Sequence, residues 1–169
     1  GLAKELGYRG RGALALTTRV VRTYVTAHLV NGGLVAFYSR LVESMKAGAQ
    51  AAGLELELRL VQQSLDPQRI LRDEAHEPTA ATLLVGVDLT PELRAYFTAE
   101  RPMVLVNTFD PEQRFDCVAP NNLYGARMAT SQLLDAGHRQ LLHLREQLRW
   151  TTLQRESGFR EAVANVDGA

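Results

Sequence analysis

The sequence is short of most features that would mark a function at once. Its 169 residues include one cysteine, Cys117, which excludes an internal disulfide and any paired-thiol metal site. There is no excess of charge: 19 Lys and Arg balance 19 Asp and Glu, so no overall field favours nucleic acid or a membrane surface. No apolar run approaches the roughly 18 residues of a membrane span, and the first residues lack the apolar core of a secretory signal. Catalytic signatures are missing too. NGGL at 31–34 is not a dinucleotide fingerprint, and neither a GxxxxGK[ST] phosphate loop nor a GxSxG elbow occurs. His28, His76, His138 and His143 have no close partner at metal-ligand spacing. His138 follows Gly137 at a helix exit, His143 fits a hydrogen-bonded position in a buried strand, and Asp110 and Asp116 flank a turn. These absences argue against an enzyme and imply neither metal nor cofactor.

What is present is a regular alternation after residue 19. Strands are expected at 21–29, 54–61, 81–87 and 102–107, with a short extended run at 115–120 and a further strand at 140–144. Helices fall between them. One carries Leu41, Val42, Met45, Ala49 and Ala52 on a single stripe and stops at Gly53. Two more begin Asp66-Pro67 and Thr90-Pro91, each a cap residue followed by proline at the first helical position. A fourth runs from Asn122, a possible N-cap, to about Ala136, with Gly137 behind it, and a fifth covers 152–166 with Gly158 tolerated inside. Strands alternating with helices of this length predict an α/β fold, a doubly wound parallel sheet with both faces covered.

In such a sheet ligands bind beyond the carboxyl ends of the strands. Those ends carry His28 and Asn31, Gln62 and Gln63, Asp88, and Asn107 with Thr108, while Phe37 and Tyr38 follow the first strand. Amides donate and accept hydrogen bonds, and aromatic rings cover apolar faces. The set suits a sugar, polyol or nucleoside better than a phosphate.

PNNLYGARMATSQLLDAGHRQLLHL at 120–144 resembles the V-D-N-x-x-G-A-x-x-A-T-x-x-L-L-x-x-G-H-R-x-I segment of the lactose/galactose-repressor (LacI/GalR) family. Asn122, Gly125, Ala126, Ala129, Thr130, Leu133, Leu134, Gly137, His138 and Arg139 match in register, with Asn121 where Asp is usual. RESGFREAV at 155–163 is similar to that family's R-x-x-G-F-x-x-A-L, and AKELGY at 3–8 to the end of its DNA-binding headpiece. The resemblance implies a type I periplasmic-binding-protein fold that holds a small effector between two subdomains. It assigns residues 1–19 to the headpiece end and hinge, 20–145 to the first subdomain and 146–169 to the start of the second, cut short, with further sequence expected at both ends.

By the same resemblance Asn107 and Arg155 contact the effector, with Asn31, Phe37 and Tyr38 from the loop after the first strand; Thr151 shares the helical face of Arg155, and the strand-end reading adds Gln63 and Asp88. In the hinge, Arg9 and Arg11 would meet DNA phosphates and Leu16 would wedge a minor-groove step, although Gly10 replaces the usual proline and Leu14 the usual arginine. The expected protein is a cytoplasmic, homodimeric repressor acting on operator DNA under a sugar-like or nucleoside-like effector. The alternative is a periplasmic sugar-binding protein of the same fold.

Overall fold

A computed structural model describes residues 18–26, 35–61, 67–77, 79–97, 102–145 and 149–167. Five strands run in chain order: β1 (Val20–Thr26), β2 (Glu55–Val61), β3 (Ala81–Val85), β4 (Met103–Val106) and β5 (Asp116–Val118). They interleave with helices α1 (Val35–Ala51), α2 (Pro67–His76), α3 (Pro91–Tyr96), α4 (Asn122–Asp135) and α5 (Trp150–Asp167). The strands form one sheet in the order β2-β1-β3-β4-β5, and every pairing is parallel. The predicted doubly wound α/β layer is therefore present. The chain order reverses between β1 and β3, which opens a crevice at the carboxyl ends of those two strands.

Register divides the residues between two faces. Val25, opposite Val85 of β3, packs with Val106 against Tyr38 and Val42 of α1. The other face carries Tyr24, Leu84 and Leu105, buried under Ile70 of α2 and Leu93 of α3. Each of these leucines is fully buried, a contribution of about 1.5–3 kcal/mol apiece.

Arg22 is a charged residue buried beside this core, with 2% of its surface exposed. Its guanidinium donates to Glu57 Oε2 at 2.9 Å, Glu77 Oε2 at 2.8 Å and Glu74 Oε1 at 3.3 Å. It also donates to the Asp73 and Glu77 carbonyls, both at 3.2 Å, at the end of α2 where helix carbonyls run short of partners. Burial works against the Arg22 charge, but the bond to Glu57 and the field of Glu74 outweigh it and hold the guanidinium above its ordinary pKa. Tyr24 beside it is pushed well up, by burial first and by Glu74 second.

Helix ends follow the sequence signals in most places. Thr90 Oγ1 accepts from Leu93 N and caps α3, with proline in its first turn; Gly53 and Gly137 adopt left-handed φ of 70° and 92°. His138 N donates to Leu133 O and Gly137 N to Leu134 O, both at 3.0 Å, the paired closure of a helix exit. Asp66 lies outside the described residues. The cap of α4 is Asn121, whose side chain accepts from Tyr124 N, and not Asn122, whose amide donates to Pro120 O instead.

Two expectations fail beyond this. Residues 141–145 join no strand, because no neighbouring strand among the described residues offers them a ladder; Leu142 and Leu144 are each 82% exposed. His143, expected to be hydrogen-bonded in a strand core, stacks on Phe159 at 5.1 Å and its buried Nε2 has no hydrogen-bond partner.

Candidate functional site

Strand ends and the start of α5 meet at one place. Asn107 ends β4 with φ 56°, a left-handed backbone that asparagine tolerates better than most residues. Its side chain is 9% exposed as a residue and Nδ2 donates to Tyr38 Oη at 2.7 Å. Tyr38 is itself buried, so it holds Asn107 from beneath. Thr108, fully buried, donates from Oγ1 to Asp88 Oδ1 at 2.7 Å. Asp88 follows β3, and Gly86 with φ 65° makes the bend that leads to it.

The start of α5 faces these groups. Trp150 N donates to Asp88 Oδ2 at 3.5 Å, a carboxylate where the helix dipole favours one. Arg149 reaches Asn107 O at 3.4 Å and comes within 4.0 Å of Asp88 Oδ1. The Trp150 ring stacks on Phe109 at 5.0 Å with 20° between planes. One carboxylate, one guanidinium, an amide, a hydroxyl and an aromatic pair thus stand within a few bonds of each other. Such a set can exchange hydrogen bonds with ligand hydroxyls and cover an apolar ring face.

The remaining sequence-predicted residues scatter more widely. Thr151 is 5% exposed. Arg155 donates from Nε to Asn122 Oδ1 at 2.8 Å, tying α5 to α4. Phe37 is 45% exposed and meets Tyr38 edge-on, on an α1 face shared with Arg40, Leu41 and Ser44. Asn31, Gln63, Arg9, Arg11 and Leu16 lie outside the described residues. Sequence reasoning missed Arg149, Trp150 and Phe109. A signal existed: the one tryptophan immediately precedes Thr151 at the start of a helix.

Gly158 also proves more than tolerated. A Cβ there would stand 2.1 Å from Leu123 O, so the residue allows α5 to lie directly on the α4 backbone.

Known structures with this fold include a complex of the transcriptional regulator CelR with cellobiose, which superposes with a TM-score of 0.76 at 23% identity over 98% of this chain and 50% of that one. A LacI transcriptional regulator from a Rhodococcus species gives 0.74 at 19% identity over 88% and 53%. The fold is that of the LacI-family regulators. Among curated proteins, the HTH-type transcriptional regulator GntR of Pseudomonas aeruginosa is 27% identical over 163 residues, 95% of this chain and 47% of its own length. The ribose operon repressor of Escherichia coli K12 is 26% identical over 176 residues, 95% and 49% of the two chains. No protein-family model matches. The chain spans about half the length of these curated relatives, a transcriptional regulator and a repressor. No described helix is long and apolar enough to cross a membrane.

Proposed function

We propose that the chain is the effector-sensing part of a sugar-responsive transcriptional repressor. The convergence of Asp88, Asn107, Thr108, Arg149 and Trp150 at the strand ends of a LacI-type layer carries this reading. Asp88 accepts from ligand hydroxyls, Arg149 donates to them, and Phe109 with Trp150 covers the ring. Thr151, Arg155, Asn31, Phe37 and Gln63 are proposed as further contacts on the strength of the sequence alone. Tyr38 acts through Asn107. The chemistry of CelR, seen with cellobiose, and the name of the ribose operon repressor support a carbohydrate over a nucleoside.

The whole protein then works as a cytoplasmic homodimer on a two-fold symmetric operator, with Arg9 and Arg11 on phosphates and Leu16 as the wedge. Effector binding shifts the layers only to the extent that the two arrangements bind it unequally. The test is a gel-shift titration of the native protein on the DNA upstream of its own gene, with and without ribose and cellobiose. Retarded DNA whose midpoint moves with one sugar supports the reading; absence of any DNA binding together with recovery from an exported fraction overturns it in favour of a solute-binding protein.

A further inference from the structure

Asn107 and Gln113, at φ 56° and 52°, are the two non-glycine residues with left-handed backbone among the described residues. They bracket a single loop, which leaves β4 through Asn107, Thr108 and Phe109 and returns toward β5. A non-glycine residue in that region is strained, and such strain persists where the surroundings over-determine it. Here the determinant is Asp110, which is fully buried. Its Oδ2 accepts from Arg114 N at 3.0 Å and its Oδ1 from Glu112 N at 3.2 Å, while Gln113 N donates to its carbonyl at 3.0 Å. The sequence at that point is Asp-Pro, a favoured opening for a tight turn.

A guanidinium closes the arrangement from α3. Arg94 lies 3.3 Å from Asp110 Oδ1 and donates to Glu112 Oε1 at 2.7 Å. Its own Nε is buried without a hydrogen-bond partner among the described residues, and a buried open donor works against stability. A surface turn needs neither a buried carboxylate nor a helix side chain that leaves a donor open to reach it. These features fit a loop held in one shape for what it carries.

What it carries is one wall of the proposed site. Phe109 stands directly before Asp110 and stacks on Trp150 at 5.0 Å, and Thr108 before it bonds Asp88. We infer that Asp110, strapped by Arg94, is a positioning residue, which touches no ligand itself and sets the Phe109 ring against Trp150. The inference rests on the proposed function, in which that aromatic pair covers a ligand ring. A carboxylate fixed by two amides and a guanidinium fixes the backbone next to it, and Phe109 projects from that backbone. Without the carboxylate Gln113 relaxes from its left-handed conformation and the ring loses its place opposite Trp150.

Trp150 is the sole tryptophan of the sequence and reports where Phe109 stands. Near-UV circular dichroism and acrylamide quenching of Trp150 are compared, without ligand, for the unaltered chain, Asp110→Asn, Asp110→Ala and Arg94→Gln. Ile70→Val, a truncation in the core beneath α2, controls for loss of stability alone, and far-UV circular dichroism confirms folding. Asp110→Asn keeps the size and one acceptor, and Arg94→Gln alters a side chain outside the loop, so these two decide the matter if Asp110→Ala does not fold. A positioning role requires a weaker tryptophan band and a gain in quenching in both, with Ile70→Val matching the unaltered chain. Folded variants that match the unaltered chain overturn it, and so does an equal change in Ile70→Val. Ribose and cellobiose are then titrated into each chain. A changed Trp150 signal with no sugar bound by any chain upholds the positioning role and removes the sugar reading. Sugar bound as tightly by the Asp110 and Arg94 variants as by the unaltered chain does the reverse.

Discussion

Tyr38 and Asn107 are 69 positions apart in the chain and joined by a 2.7 Å hydrogen bond, phenol accepting from amide, with both residues buried. The bond fixes a strand-end asparagine whose backbone is already in the left-handed region. Tyr38→Phe removes the acceptor and leaves a buried amide short of a partner. The expected cost is about 1–3 kcal/mol of stability, read as a lower urea midpoint, with a weaker response to sugar because Asn107 is no longer held.

Arg22 supports a second prediction. Arg22→Met strands Glu57 and Glu74 around an uncharged side chain and unties the end of α2. Breaking a buried ion pair from one side costs about 3–5 kcal/mol. Glu77 adds little to this, because its side chain is 60% exposed and screened. Chemical denaturation of the variant against the unaltered chain measures the difference.

The same cluster sets part of the acid limb of stability. Burial raises the Glu57 pKa, but hydrogen bonds from Arg22 and Arg59 more than offset it and leave the carboxyl below its ordinary range. A depressed folded pKa gives stability that is present above the unfolded value and lost as pH falls through the folded one. Unfolding free energy should therefore decline from the ordinary glutamate range downward. Glu57→Gln should flatten that decline in a pH series of urea melts.

Two glycines, both within the repressor-like segments, differ in packing. Gly125 belongs to the repressor-like segment, yet a Cβ there meets nothing within 4 Å, whereas one at Gly158 would collide with Leu123 O at 2.1 Å. Gly125→Ala should raise stability by about 1 kcal/mol through helix propensity. Gly158→Ala should lower it by about 1–3 kcal/mol or more, since backbone has to move. Paired thermal melts read both signs.

The contrast shows what was legible from residues alone. Strands β1, β3 and β4 and the start of α3 followed from apolar runs and from a Thr-Pro start, because local chemistry decides such features. The stretch at 140–144 has the right alternation for a strand, but a ladder needs a neighbour, and alternation says nothing about one. At the site, Asp88 and Asn107 were visible as strand ends. Arg149 and Trp150 were not, because their role depends on how α5 folds back across more than 40 residues to meet Asn107. The placement of Tyr38 beneath Asn107 is likewise a tertiary fact that helical spacing does not carry.

The most direct measurement is a titration of the isotopically labelled chain with ribose and with cellobiose, followed by amide NMR. A sugar-binding strand-end site predicts that one of them shifts Asp88, Asn107, Thr108 and Arg149 to Thr151 together, along a single saturating curve. Shifts absent from these residues at saturating sugar, or confined to another face of the sheet, would contradict the account.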